Sequence, residues 1–352
     1  MILAIFLNFR GSNSLRDKHI KSLDGIRAIS ILIVLGRHFK IPCFVGGLGV
    51  SVFFFISGFL ITTILLRKGT DFSIKHFYMR RILRLLPALY VFMIVSSIIY
   101  CIWFSKFNLN EIIAGLFYYY NYFLIYINKS VGLTYNFYLP LWSLSVEEHY
   151  YIFYPILLKI LNKSKVSILK VFIVLNIIIF FWKLLLLYYL NADHNYLYYA
   201  TDCKVDMIIF GCILAILTKE HNKLANVLDS KLLFYVSFFS IPAIYLLKNR
   251  EFVDVVGTTF IGVCFIVIFY NLIFSNNLIK IKQLLENNIM CFIGKISYSL
   301  YLWHLFCIFI CYNLIDNFFL KNLLALISCF SIASVSYLFV EKPFMNIKKK
   351  FI

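Results

Sequence analysis

Arg27 and His38 stand eleven residues apart in an otherwise apolar run, Arg27-Ala-Ile-Ser-Ile-Leu-Ile-Val-Leu-Gly-Arg37-His38. In a helix that separation is three turns plus about 20°, so both side chains lie on one face, roughly 16 Å apart along the axis. A guanidinium at the centre of a bilayer costs roughly 3 kcal/mol on insertion scales. Ionisable groups in such a segment are therefore functional candidates. The imidazole can serve as a base or a nucleophile near neutral pH, and the guanidinium as a fork for an anion. This helix reads as half of an active site.

Further polar groups interrupt the apolar sequence. In Trp142-Ser143-Leu144-Ser145-Val146-Glu147-Glu148, Ser143 and Glu147 are i, i+4 and share a face. Glu147 is expected to face the interior and orient or deprotonate an imidazole; the alternative is anchoring in the headgroup region. Arg80, Arg81 and Arg84 cluster on one helical segment and suit an anion with several phosphates, although topology alone also enriches such sites in arginine. His304, in an apolar span, is either a helix contact or a catalytic group. Lys204 and Asp206 are a salt-bridged pair or a glycan contact. The small residues Gly46, Gly47, Gly49, Ser57 and Gly58 mostly signal close helix packing. No Walker A loop, nucleophile elbow, dinucleotide fingerprint or H-x-x-x-H metal pair occurs, and no metal site is expected.

The elements that must position these residues are transmembrane helices. Hydrophobic residues make up 62% of the 352 and charged ones 14%, and the apolar runs are continuous rather than alternating. The fold class is all-α, a polytopic membrane helical bundle rather than a β-barrel. About ten spans are expected, at 24–42, 47–66, 84–104, 139–160, 166–190, 203–218, 232–248, 255–274, 289–314 and 319–340. The net charge of +18 is distributed as topology rather than as a nucleic-acid footprint. Most basic residues, among them Arg16, Lys18, Arg67, Lys163, Lys219, Lys280 and Lys349, fall on one side of those spans, which predicts both termini in the cytoplasm. Residues 1–22 are then a cytoplasmic segment, 23–345 the transmembrane domain and 346–352 a basic cytoplasmic tail. No signal peptide and no appended soluble domain are expected. The Tyr-rich stretch 112–127, placed outside the spans, suits sugar stacking or membrane anchoring through Tyr118, Tyr119, Tyr120, Tyr122 and Tyr126. Most cysteines read as buried packing; Cys43 and Cys203 could both face outward, where a disulfide is conceivable.

In this order the segments resemble the acyltransferase-3 family of integral membrane acyltransferases, which includes bacterial O-antigen acetylases. The resemblance is carried by Leu23-Asp24-Gly25-Ile26-Arg27 with His38, by Gly49-Val-Ser-Val-Phe53-Phe54-Phe55-Ile-Ser57-Gly58, and by Arg80-Arg81-Ile-Leu-Arg84-Leu-Leu-Pro87. It continues through Trp142-Ser143-Leu144-Ser145-Val-Glu147-Glu148, Ser297-Tyr298-Ser-Leu-Tyr301-Leu-Trp303-His304 and Glu341-Lys-Pro343-Phe344, and so covers residues 20 to 347. Lys204 departs from the pattern, standing where an arginine is expected before Asp206. The hydrolase-like domain fused to some members is not expected here, which would make this a stand-alone form.

The resemblance implies transfer of an acyl group, usually acetyl, from cytoplasmic acyl-CoA to a carbohydrate hydroxyl across the bacterial inner membrane. O-antigen, capsule and exopolysaccharide are the expected acceptors, with acetyl-CoA as co-substrate and no resident cofactor. Arg80, Arg81 and Arg84 would hold the anionic part of coenzyme A, and Arg27 would guide it inward. His38 would act on the acceptor hydroxyl or carry the acyl group, with Glu147 setting its tautomer. Asp24, Ser57, Trp142, Ser143, Asp206 and His304 would contact the acceptor or support the site. A polysaccharide flippase or polymerase, or a membrane scaffold, is the competing function, separable by coenzyme A binding.

Overall fold

The computed structural model describes residues 20–42, 44–69, 72–105, 108–126, 136–220, 227–247 and 249–348. Cys43, most of the segment 1–22 and the tail from residue 349 lie outside the described residues, so the expectations made for them stop at the sequence. Most of the described residues are helical, and none of them lies in a strand. In chain order the helices are α1 (Lys21–His38), α2 (Gly46–Lys68), α3 (Ile74–Phe104), α4 (Leu109–Leu116) and α5 (Tyr120–Tyr126). They continue with α6 (Leu141–Lys163), α7 (Ile168–Tyr188), α8 (His194–Tyr199), α9 (Thr201–Glu220) and α10 (Lys231–Leu246). The last four are α11 (Arg250–Ile273), α12 (Ile279–Leu285), α13 (Asn288–Leu314) and α14 (Phe318–Ile347).

Local chemistry accounts for many of the boundaries. Ser73, Ser167, Ser230, Asn287 and Asn317 precede apolar runs, and each accepts a hydrogen bond from a first-turn N–H as an N-cap. Among the described residues, six helices, α2, α3, α7, α11, α13 and α14, are long and apolar enough to cross a membrane. The other four expected spans, α1, α6, α9 and α10, are also helices but carry more charge or are shorter. α10 has 16 residues, and α6 contains Glu147, Glu148, Lys159 and Lys163.

Burial separates the interior of the bundle from its lipid-facing rim. The apolar windows of α2 and α13 are 61% and 67% buried, while those of α7 and α14 are only 22% buried. A hydrocarbon solvent tolerates the exposed Ile, Leu and Phe of the latter two. At the centre, α2 crosses α9 at Gly58 and Gly211. A Cβ at Gly58 would fall 1.9 Å from the Ile208 carbonyl oxygen, and one at Gly211 would fall 2.1 Å from that of Phe55. Only glycine lets these backbones touch, as the small-residue pattern predicted.

The Tyr-rich stretch forms α4 and α5, joined through Tyr118 at φ +57°. Tyr120 is fully buried there and donates to Glu111 Oε1 at 2.8 Å. Two π-helical turns occur, Val253–Gly257 in α11 and Tyr337–Glu341 in α14. In the second, the buried Glu341 accepts a hydrogen bond from Ser299 of α13, tying the last two long helices together.

Candidate active site

Two cavities lie along α1 and share a wall formed by Val50, Phe54 and Tyr301. The inner one is a slot of about 90 Å³, room for a few waters and no more. The outer one, about 630 Å³, has the size of a small-molecule site. Helix periodicity puts Arg27 on the slot and His38 on the outer cavity, three turns apart on α1.

The slot gathers three guanidiniums, Arg27, Arg81 and Arg84, around one carboxylate, Glu147. Arg27 is steadied by the buried Asp24 one turn earlier, Nη1 to Oδ1 at 3.7 Å. The Arg81 guanidinium lies over the Tyr151 ring, 5.0 Å from its centroid. Glu147 accepts hydrogen bonds from Ser57 Oγ at 2.8 Å and from the Tyr151 hydroxyl at 3.1 Å. Such a pocket is built for an anion: planar forks converge, and the carboxylate that lines it among the described residues is already occupied by neutral donors. Arg80, expected in this cluster, does not line the slot.

The outer cavity is lined by His38, His194 and His304. The His38 ring lies 5.0 Å from that of His304, centroid to centroid, at an interplanar angle of 55°. His304 is completely buried, and its Nδ1 is 2.8 Å from the Tyr301 carbonyl. A carbonyl oxygen only accepts, so Nδ1 carries the proton and Nε2 presents a lone pair. Among the described residues, Nε2 has no hydrogen-bond partner. The structure thus replaces the expected partner of His38: Glu147 does not reach that imidazole, being engaged by Ser57 and Tyr151 across the shared wall, and His304 stands beside it instead. Sequence periodicity relates residues on one helix, whereas this contact joins α1 to α13.

Aromatic faces line the outer cavity. Trp142 packs 5.3 Å from the rings of both Tyr198 and Tyr199, and Phe54, Tyr245 and Tyr301 also line the cavity. Burial raises the Tyr198 phenol above its ordinary range, so it stays a neutral donor. Ser143 lines the slot and hydrogen-bonds the Tyr301 hydroxyl at 2.6 Å, bracing the shared wall. The tyrosines expected to stack on sugar, Tyr118, Tyr119, Tyr120, Tyr122 and Tyr126, line neither cavity. Packing of α4 and α5 against the bundle takes them elsewhere.

Asp206 does not pair with Lys204 either. It binds the buried Lys183 of α7 at 2.5 Å and accepts from its neighbour's backbone N–H, Met207 N, at 2.8 Å, and it lines neither cavity. Lys204 does line the outer cavity. Several residues of the site were not anticipated: Asp254, His194, Arg250, Tyr198, Tyr199 and Tyr245 at the outer cavity, and Lys183 behind it. Lone charges in apolar runs were the available signal for Asp254 and Lys183. Asp254 sits in the π-helical turn of α11, where it meets His194 Nδ1 at 2.7 Å. Among the described residues, no group of three His, Cys, Asp or Glu side chains could hold a metal ion.

Comparison with known proteins shows the family. Residues 20–341 match a family described as an acyltransferase domain, the acyltransferase-3 family. A Staphylococcus aureus protein named "Putative O-acetyltransferase" is 33% identical over 356 residues, covering 93% of this chain and 57% of that protein. The peptidoglycan O-acetyltransferase OatA of Listeria monocytogenes is 30% identical, covering 93% of this chain and 56% of its own length. The chain therefore spans little more than half the length of these relatives. No solved structure matches it significantly. With a family match over nearly its whole length, the chain belongs to the acyltransferase-3 family of integral membrane proteins.

Proposed function

We propose that the protein is an O-acyltransferase that moves an acyl group, acetyl first among candidates, from cytoplasmic acyl-CoA to a hydroxyl of an extracytoplasmic carbohydrate. The observation that carries this reading is the pair of cavities on α1, with Arg27, Arg81 and Arg84 on one side of a shared wall and the His38–His304 pair on the other. In this reading all ten spans cross a bacterial cytoplasmic membrane, both termini are cytoplasmic, and the slot faces the cytoplasm. Arg81, Arg84 and Arg27 hold the phosphates and lead the pantetheine arm inward, with Arg80 outside the pocket. The slot is too small for that arm at rest, so Tyr301 and Phe54 move aside to admit the thioester.

The acceptor hydroxyl occupies the outer cavity beside His38. One ring nitrogen of His38 donates to the lone pair of His304 Nε2 after a change of rotamer, which leaves the other nitrogen free to take the hydroxyl proton. The oxygen attacks the thioester carbonyl, the C–S bond breaks, and coenzyme A leaves as a thiolate that takes up the proton. The developing oxyanion meets the first-turn N–H groups of α2 at Gly46 and Gly47, which line the cavity beside the N-cap Val45, a residue without a capping side chain. A two-step route through an acyl-His38 intermediate uses the same atoms. Similarity to the peptidoglycan O-acetyltransferase OatA of Listeria monocytogenes favours peptidoglycan over O-antigen, capsule or exopolysaccharide as acceptor. The narrowness of the slot favours group transfer over passage of a whole glycan, and so disfavours a flippase.

The test is NMR of surface glycans from a deletion strain complemented with wild type or His38→Ala, with calorimetric titration of coenzyme A into the purified chain. O-acetyl signals restored only by wild type, with coenzyme A bound by both proteins, are expected. Absence of coenzyme A binding would overturn the reading in favour of a non-enzymatic membrane role.

A further inference from the structure

We infer that the outer cavity contains a subsite for an anionic group on the acceptor, centred on the Lys204 ammonium. The inference rests on that cavity being the acceptor site. Lys204 is only 9% exposed and lines the cavity. Among the described residues, its Nζ has neither a carboxylate within ion-pair distance nor a hydrogen-bond acceptor. It lies over the Tyr198 ring, 4.9 Å from the centroid. Asp206 is held by Lys183, and Asp254, which meets His194 Nδ1 at 2.7 Å, faces Lys204 from beyond ion-pair distance. Arg37 and Arg250 line the same cavity, where Asp254 is the lone carboxylate.

Burying an ammonium without a hydrogen-bonded counter-charge is unfavourable, and a cation–π contact offsets only part of that cost. An arrangement of this kind is completed by an anion that arrives with the ligand. The ring faces of Trp142 and Tyr198 beside Lys204 suit a pyranose carrying a carboxylate or a phosphate. That charge would sit at Lys204 while a neighbouring hydroxyl points toward His38. Lys204 selects and positions the acceptor; it does not take part in the chemical step.

The test uses the purified full chain in a detergent without a sugar headgroup. Methyl β-glucoside, methyl β-glucuronide and methyl β-glucoside 6-phosphate are titrated against wild type, Lys204→Met and Lys204→Arg. Protein stabilisation reports binding, and coenzyme A is titrated in parallel. Wild type should bind at least one charged glycoside about tenfold or more tightly than the neutral one, the size of a charge-assisted contact. Lys204→Met should erase that preference, and Lys204→Arg should retain it. The glucuronide and phosphate arms distinguish a carboxylate-bearing from a phosphate-bearing acceptor. Equal binding of neutral and charged glycosides, or a preference that survives Lys204→Met, would overturn the subsite alone. Binding of coenzyme A with no glycoside bound at all would overturn the acceptor reading of the cavity, and the subsite with it.

Discussion

Replacing His304 with asparagine separates the two histidines. The asparagine amide occupies nearly the place of Nδ1 and can still donate to the Tyr301 carbonyl, but it leaves no group where Nε2 presented its lone pair. If His304 holds the tautomer of His38, His304→Asn disables the base without unfolding the helix pair. Losing a general base costs about 10² to 10⁴ in rate. That is roughly 2.7 to 5.4 kcal/mol of transition-state stabilisation at about 1.36 kcal/mol per decade. His38→Gln should fall in this range, and His304→Asn at or somewhat above its lower end. Because the rings stand 5.0 Å apart and act as one unit, the double variant should be no slower than His38→Gln alone. The assay is the initial rate of coenzyme A release from acetyl-CoA in the presence of acceptor glycan, with the full chain in lipid nanodiscs and melting followed in parallel. Additive losses would show that the histidines act independently. A His304→Asn protein within about threefold of wild type would refute the orienting role.

Three further outcomes follow from the same geometry. Arg81→Gln and Arg84→Gln should each raise the KM for acetyl-CoA about tenfold or more, while Arg80→Gln, outside the slot, should change it by less than about threefold; equal effects of all three would remove the slot as the donor site. Lys183→Met should destabilise the fold by about 3–5 kcal/mol, because Asp206 would remain buried without its partner. Lys183→Met with Asp206→Leu should recover much of that loss, and a single variant that melts like wild type would contradict the pairing. Gly211→Ala drives a methyl group against the Phe55 carbonyl and should cost about 1–3 kcal/mol, read as a lower melting temperature; an unchanged melt would show that α2 and α9 separate freely.

What the sequence by itself determined is local and periodic. Arg27 and His38 had to share a face because eleven residues close nearly whole turns of a helix. Arg81 and Arg84 had to lie together by the same rule. Continuous apolar runs marked the helices, and glycines marked where α2 would be approached closely. Tertiary structure decided which helix meets which, and with it every cross-helix partner. Glu147 took Ser57 and Tyr151 rather than His38, Asp206 took Lys183 rather than Lys204, and His304 came to stand beside His38. It also turned the tyrosines of α4 and α5 away from the site and put Trp142, Tyr198 and Tyr199 in their place. Spacing along a chain reports neighbours on one helix; contacts between α1, α6, α9 and α13 depend on side-chain volume and backbone approach across the bundle, which no periodicity encodes.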